Sequence, residues 1–154
     1  MPLPKKGLKE VFEKGSEICE RALEISRIDW DSTELSWDFM GSPLVLENGS
    51  DLGSGYIGYI EQCQRRVDSL KRLEEENNRL FIDAYNVVSE VSPEVAHEDI
   101  TLDATALLGS AENLMPTEVD MRRRTECARR LVSYAIGCMM GRYSLDAPGL
   151  IYAH

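Results

Sequence analysis

The sequence predicts an all-α fold, a bundle of long helices or an antiparallel helical spacer with irregular connecting segments. Three observations carry that prediction. Apolar residues recur at three- and four-residue steps over three long stretches, the period of an amphipathic helix. The piece that suits an extended segment, Asp99-Ile100-Thr101-Leu102, is short. Glycine and proline are densest between those stretches, above all in residues 41–55.

The first helix is predicted over about 8–28, from Leu8, Val11, Phe12, Ile18, Ala22, Leu23 and Ile25. Gly15 weakens its middle, and Asp29-Trp30-Asp31-Ser32-Thr33 reads as its exit or as a new N-cap. Residues 41–55 hold Gly41, Pro43, Gly49, Gly53 and Gly55 and read as a loop. The second helix covers about 56–88. Ile60, Cys63, Val67, Leu70, Asn77, Phe81, Ala84 and Val88 form a coiled-coil-like seam of roughly four heptads. Asn77 is its polar register-setting member. Arg65, Arg66, Lys71, Arg72 and Glu74–Glu76 form the solvated face. Pro93 stops the helix. Val95, Ile100 and Leu102 suit a short extended piece or irregular packing, and Ala104–Leu108 a short helix. The last long helix spans about 118–140, opened by a Thr117-x-x-Asp120 capping box. Cys127, Ala128, Leu131, Val132, Ala135, Ile136, Cys138 and Met139 make its apolar face. Trp30, Trp37 and Phe39 are expected to pack where the first helix meets the others. The 154 residues are read as one helical domain.

Charge and composition narrow the function. The formal net charge is −10, carried entirely by the first 100 residues. That balance argues against a dedicated nucleic-acid binder, which needs clustered Lys and Arg against phosphate. The only local basic candidates are Arg122, Arg123, Arg124, Arg129, Arg130 and Arg142, a possible DNA-backbone contact. With no run of about 20 apolar residues and no signal-like N-terminus, no membrane partner is expected and the location is taken as cytoplasmic. Cys19, Cys63, Cys127 and Cys138 are far apart and unpaired with His97 or His154. They read as small buried hydrophobes in a reducing compartment, and no metal site is expected.

Motifs of catalysis are absent. Gly53-Ser54-Gly55-Tyr56-Ile57-Gly58 has the form G-x-G-x-x-G, but no buried strand precedes it and no βαβ unit surrounds it. It reads as a loop feeding a helix. Gly137-x-x-x-Gly141 reads as close helix–helix approach in a core. No catalytic or cofactor-binding residue is assigned.

Several strings are specific. They are Ser36-Trp37-Asp38-Phe39, the run Arg72-Leu73-Glu74-Glu75-Glu76-Asn77-Asn78-Arg79-Leu80-Phe81-Ile82-Asp83-Ala84-Tyr85, Ser92-Pro93-Glu94-Val95 with Ile100-Thr101-Leu102, and Ser133–Asp146 with Pro148–Ala153. In this order they resemble the middle region of PglX, the adenine-specific DNA methyltransferase of BREX phage-defence systems, and related restriction enzymes with a fused methylase. The resemblance covers most of residues 17–154. It implies a parent enzyme that binds S-adenosylmethionine and flips adenine out of duplex DNA. The Asn/Asp-Pro-Pro-Tyr/Phe loop such chemistry needs is missing, since no two prolines are adjacent. The expectation is therefore a non-catalytic helical spacer between a methyltransferase core and a target-recognition part, with those flanking domains as partners and no cofactor in this chain. The abrupt ends suit a fragment of a longer chain. The alternatives are a free-standing module that self-associates through the long helix, as a homodimer, and an acidic decoy that copies DNA charge.

Overall fold

In a computed structural model, residues 7–46, 51–109 and 115–151 are described. The Asn48-Gly49-Ser50 part of the expected loop, the N-terminal Met-Pro-Leu-Pro and His154 lie outside them. Among the described residues there are five α-helices, one 3₁₀ turn and no strand: α1 (Leu8–Asp31), α2 (Pro43–Leu46), α3 (Leu52–Tyr85), the turn His97–Asp99, α4 (Asp103–Leu108) and α5 (Pro116–Met139). The all-α expectation holds. No described helix is long and apolar enough to cross a membrane.

α1 outlasts its expected end at 28. Asp29 stays helical, and the Ser32 and Thr33 hydroxyls donate to the Asp29 and Trp30 carbonyls, closing the last turn. α1 runs antiparallel to α3. Phe12 meets Phe81 edge-on at 6.5 Å near one end, and Asp29 meets Arg66 near the other.

α3 begins inside the stretch read as a loop. Asp51 accepts from the Ser54 N–H at 2.9 Å while the Ser54 hydroxyl accepts from the Asp51 N–H at 3.3 Å, a reciprocal cap. Part of the same stretch, Pro43–Leu46, is the single turn α2. Gly55 lies under α2: a Cβ there would sit 2.6 Å from the Leu44 carbonyl oxygen. That close approach is what the glycine serves.

The helix ends at Tyr85 rather than Val88. Asn86 takes the left-handed conformation at φ 56°, and the Val87 N–H reaches the Ile82 carbonyl at 3.1 Å. Asparagine tolerates this geometry, so the stop precedes Pro93. Tyr59, Cys63, Val67, Leu70 and Leu73 are the buried row of α3. Beyond Leu73 the expected seam is only partly covered, with Asn77 half-buried and its side-chain oxygen unpartnered. Two members of the supposed solvated face turn inward. Arg66 reaches Asp29, and Glu75 accepts from the Val95 N–H.

Ile100 and Leu102 pack irregularly into the main core, with α4's Ala104, Leu107 and Leu108 behind them and Cys127 of α5 opposite. α5 starts at Pro116, two residues before expectation. Proline at the first helical position wastes no N–H, and the Glu118 carboxylate accepts from the Met115 N–H at 2.8 Å. This replaces the Thr117/Asp120 cap. The buried row of α5 is Val119, Cys127, Tyr134 and Gly137, so Val132, Ile136 and Met139 of the expected apolar face point to solvent.

At the end of α5, Gly141 (φ 76°) lets the Arg142 N–H return to the Gly137 carbonyl at 2.8 Å. Tyr143 then crosses Gly137 so closely that a Cβ would lie 2.6 Å from its ring. The two glycines serve this turn and not a helix–helix crossing. Tyr143, Tyr134 and Phe39 form a second cluster with ring centroids 5.3–6.0 Å apart. Of the three aromatics expected at the α1 junction, only Phe39 is buried. Trp30 is 53% and Trp37 83% exposed. A helix turns 100° per residue, so with Asp29 facing inward Trp30 faces away.

Candidate functional site

The charged junction of the four longer elements is built from α1 outward. Ile18, Ala22 and Ile25 step along its inner face, and Asp29 is next on that row. Its carboxylate caps a different helix. Leu102 precedes α4 and offers no side-chain oxygen, so the first N–H groups of α4 take Asp29 instead, Asp103 at 2.6 Å and Ala104 at 3.2 Å. Arg66 of α3 lies 3.4 Å from the same carboxylate and also reaches Gln62 at 3.3 Å. Across α4, the Asp103 carboxylate takes both terminal nitrogens of Arg130 at 2.5 and 3.0 Å, a forked pair. Arg130 Nε donates to Glu126 at 2.8 Å. Residues from α1, α3, α4 and α5 thus form one linked network.

The network's electrostatics pull in two directions. Burial raises the Asp29 carboxyl above its ordinary range, while the two α4 N–H groups and Arg66 act against that rise. Burial also works against the Arg130 charge, but Asp103 and Glu126 outweigh it and hold the guanidinium protonated. Arg129, opposed by burial and helped by Arg130, pulls Glu126 down to about 2. A depressed carboxyl stabilises the fold above its unfolded value and loses that contribution as pH falls through its folded value. The melting temperature should therefore decline as pH drops from about 4.5 to about 2. Glu126→Gln should melt lower than wild type at neutral pH and converge with it near the acid end. Parallel curves at all pH values in a thermal titration would refute this assignment.

Beside the network lies a half-open recess of about 340 Å³ lined by Glu34, Phe39, Leu44, Tyr59, Arg130 and Tyr134 among others. One Glu34 oxygen accepts from the Ser133 hydroxyl at 2.6 Å, and the other is buried without a partner. Its chemistry is that of an acceptor for a ligand N–H. No group of three or more His, Cys, Asp or Glu among the described residues is placed to hold a metal. The N-terminus of α3 does not fit a nucleotide or S-adenosylmethionine. Asp51 already occupies it with a carboxylate, and the middle glycine of its motif is spent on α2.

The six expected arginines are spread around α5 and beyond its end. Arg123 donates to the Leu108 carbonyl at 2.8 Å, and Arg124 to Asp120 at 2.7 Å while lying 5.0 Å over the Tyr56 ring. Arg129 pairs with Glu126, and Arg130 is the inward member described above. Arg142 lies 5.4 Å over Tyr143, and Arg122 is exposed on the outer edge. Tyr56 also donates to Asp120 at 2.9 Å, and burial, reinforced by that bond, pushes its hydroxyl up to about 12. Sequence reasoning missed Asp29, Arg66 and Asp103. A carboxylate in phase with Ile18, Ala22 and Ile25 was the available signal for the first.

Comparison with known proteins fits this frame. The chain is 32% identical over 159 residues to the adenine-specific methyltransferase PglX of Lacticaseibacillus casei (strain Zhang), covering 99% of this chain and 11% of that protein. It is 30% identical over 138 residues to the adenine-specific methyltransferase BrxX of Escherichia coli O9:H4 (strain HS), covering 90% of this chain and 11% of that protein. No family model matches the chain. The resemblance to adenine-specific methyltransferases is thus borne out, and this chain spans only about a ninth of the relatives' length.

Proposed function

We propose that the chain is a non-catalytic helical spacer of an adenine-specific DNA methyltransferase in BREX-type phage defence, holding a methyltransferase core and a target-recognition part at a set separation. The observation that supports this most is the alignment of nearly the whole chain to a small share of each relative. The junction supplies the physical reason. A spacer works when its helices keep their relative angles, and a network tied to α1, α3, α4 and α5 resists their sliding. The 34 residues of α3 give a strut of about 50 Å at 1.5 Å per residue. In this reading S-adenosylmethionine, adenine and DNA chemistry belong to the flanking parts.

Two experiments test it. Calorimetry of the chain with S-adenosylmethionine should give no stoichiometric heat, and micromolar binding would overturn the reading. In a full-length relative, replacing the matched segment by this chain should retain methylation, and deleting it should abolish methylation without loss of cofactor binding. Methylation that survives the deletion would equally overturn it.

A further inference from the structure

The outer faces of α1 and α5, both 24 residues long, carry exposed apolar stripes, with one edge of Phe12 against Phe81 of α3. On α1 the stripe is Phe12, Cys19, Leu23 and Trp30, and on α5 it is Met121, Ala128, Val132 and Met139. Leu23 is 69%, Val132 58% and Met139 87% exposed. Both stripes recur at the same intervals of seven, four and seven residues, the spacing of a heptad seam. Their edges carry opposite charge over two heptads, before Arg27 follows on α1. Glu13 and Glu20 follow the first two stripe residues of α1, just as Arg122 and Arg129 follow the first two of α5. All four are exposed.

We propose that these faces bind each other between copies: α1 of one chain packs antiparallel on α5 of a second. One register sets Glu13 against Arg129, Glu20 against Arg122, Phe12 over Val132 and Leu23 over Met121. The surface pairs that Glu13 and Arg129 now make, with Lys9 and Glu126, are intrahelical and exposed, and such pairs exchange at little cost. The occupant is a second copy because this register sets two acidic residues of α1 against two basic residues of α5 while Phe12 and Leu23 cover the exposed Val132 and Met121. Pairing α5 with α5 would set arginine against arginine. The inference concerns the chain alone and does not depend on the spacer reading.

Sedimentation velocity over a concentration series tests it. The wild-type chain should associate more strongly as salt is lowered. Glu13→Lys with Glu20→Lys, or Arg122→Glu with Arg129→Glu, should each weaken self-association at least about tenfold, since each sets like charges together. Mixing the two variants restores opposite charges on both faces and should restore association. Circular dichroism confirms that each variant is folded. A wild-type chain that stays monomeric throughout would overturn the proposal. So would association that both single-face variants retain, or a mixture that stays monomeric.

Discussion

Asp29→Ala is expected to lower unfolding stability by about 3–5 kcal/mol, the range for removing one partner of a buried ion pair. In a chain this size that corresponds to a melting temperature about 10 °C lower. Three groups lose their acceptor together. Arg66 stays inside without its carboxylate, and the Asp103 and Ala104 N–H groups at the start of α4 lose their cap. Asp29→Asn separates the causes. Asparagine keeps one acceptor oxygen for α4, while it removes the charge and replaces the second acceptor, used by Asp103 or Ala104, with an N–H donor. Because burial raises the Asp29 carboxyl, the neutral form is favoured by folding. The sign follows: this group's contribution is greatest below its unfolded value and declines as pH rises through the folded one. Asparagine should therefore recover part of the loss at neutral pH. Urea titrations of both variants check this, and an alanine loss below about 1 kcal/mol, the scale of a surface pair, would mean that the junction does not carry the fold.

The junction also marks the division between what could and could not be read from residues alone. Periodicity located three long helices because each buries one face. It did not single out the buried face of α5: the expected set mixed Cys127, Leu131 and Cys138, which turn inward, with Ala128, Val132, Ile136 and Met139, which are exposed, and it omitted Tyr134 and Gly137. The buried set won because Arg123 and Arg130 lie in phase with it and find acceptors in the Leu108 carbonyl and Asp103. A charged residue on a buried row is justified only by a partner distant in sequence, which spacing cannot show. The arginines that seemed to promise a phosphate contact include two that bind the fold together. Helix ends were read late or early for a related reason: Asn86 and Pro116 end and start helices by backbone conformation, and the apolar period is blind to that.

A spacer also needs its connecting segments fixed, and the central one gives the second large effect. Ile100→Ala should cost about 2–5 kcal/mol, the range for truncating a buried aliphatic side chain. Ile100 lies outside every helix, yet it is 1% exposed and sits in the main core with Cys63, Val67 and Leu107. Its backbone is held on both sides. The Ile100 N–H reaches the His97 carbonyl at 3.3 Å, and the Leu102 N–H reaches the Ile100 carbonyl at 3.1 Å. Little relaxation is available to close the cavity, which places the loss toward the upper part of that range. Val88→Ala is the matched control. Seam periodicity puts Val88 on the buried face of a helix, whereas α3 ends before it and leaves it 64% exposed. Its truncation should fall within about 0.5 kcal/mol of wild type, as surface substitutions do. Equal losses at the two sites would restore the four-heptad seam and remove the irregular segment from the core. A large loss at Ile100 alone means that residues 95–102 are a structural tie between α3 and α5, holding the strut from Cys63 to Glu75 beside the contacts that α1 makes at Arg66 and Phe81.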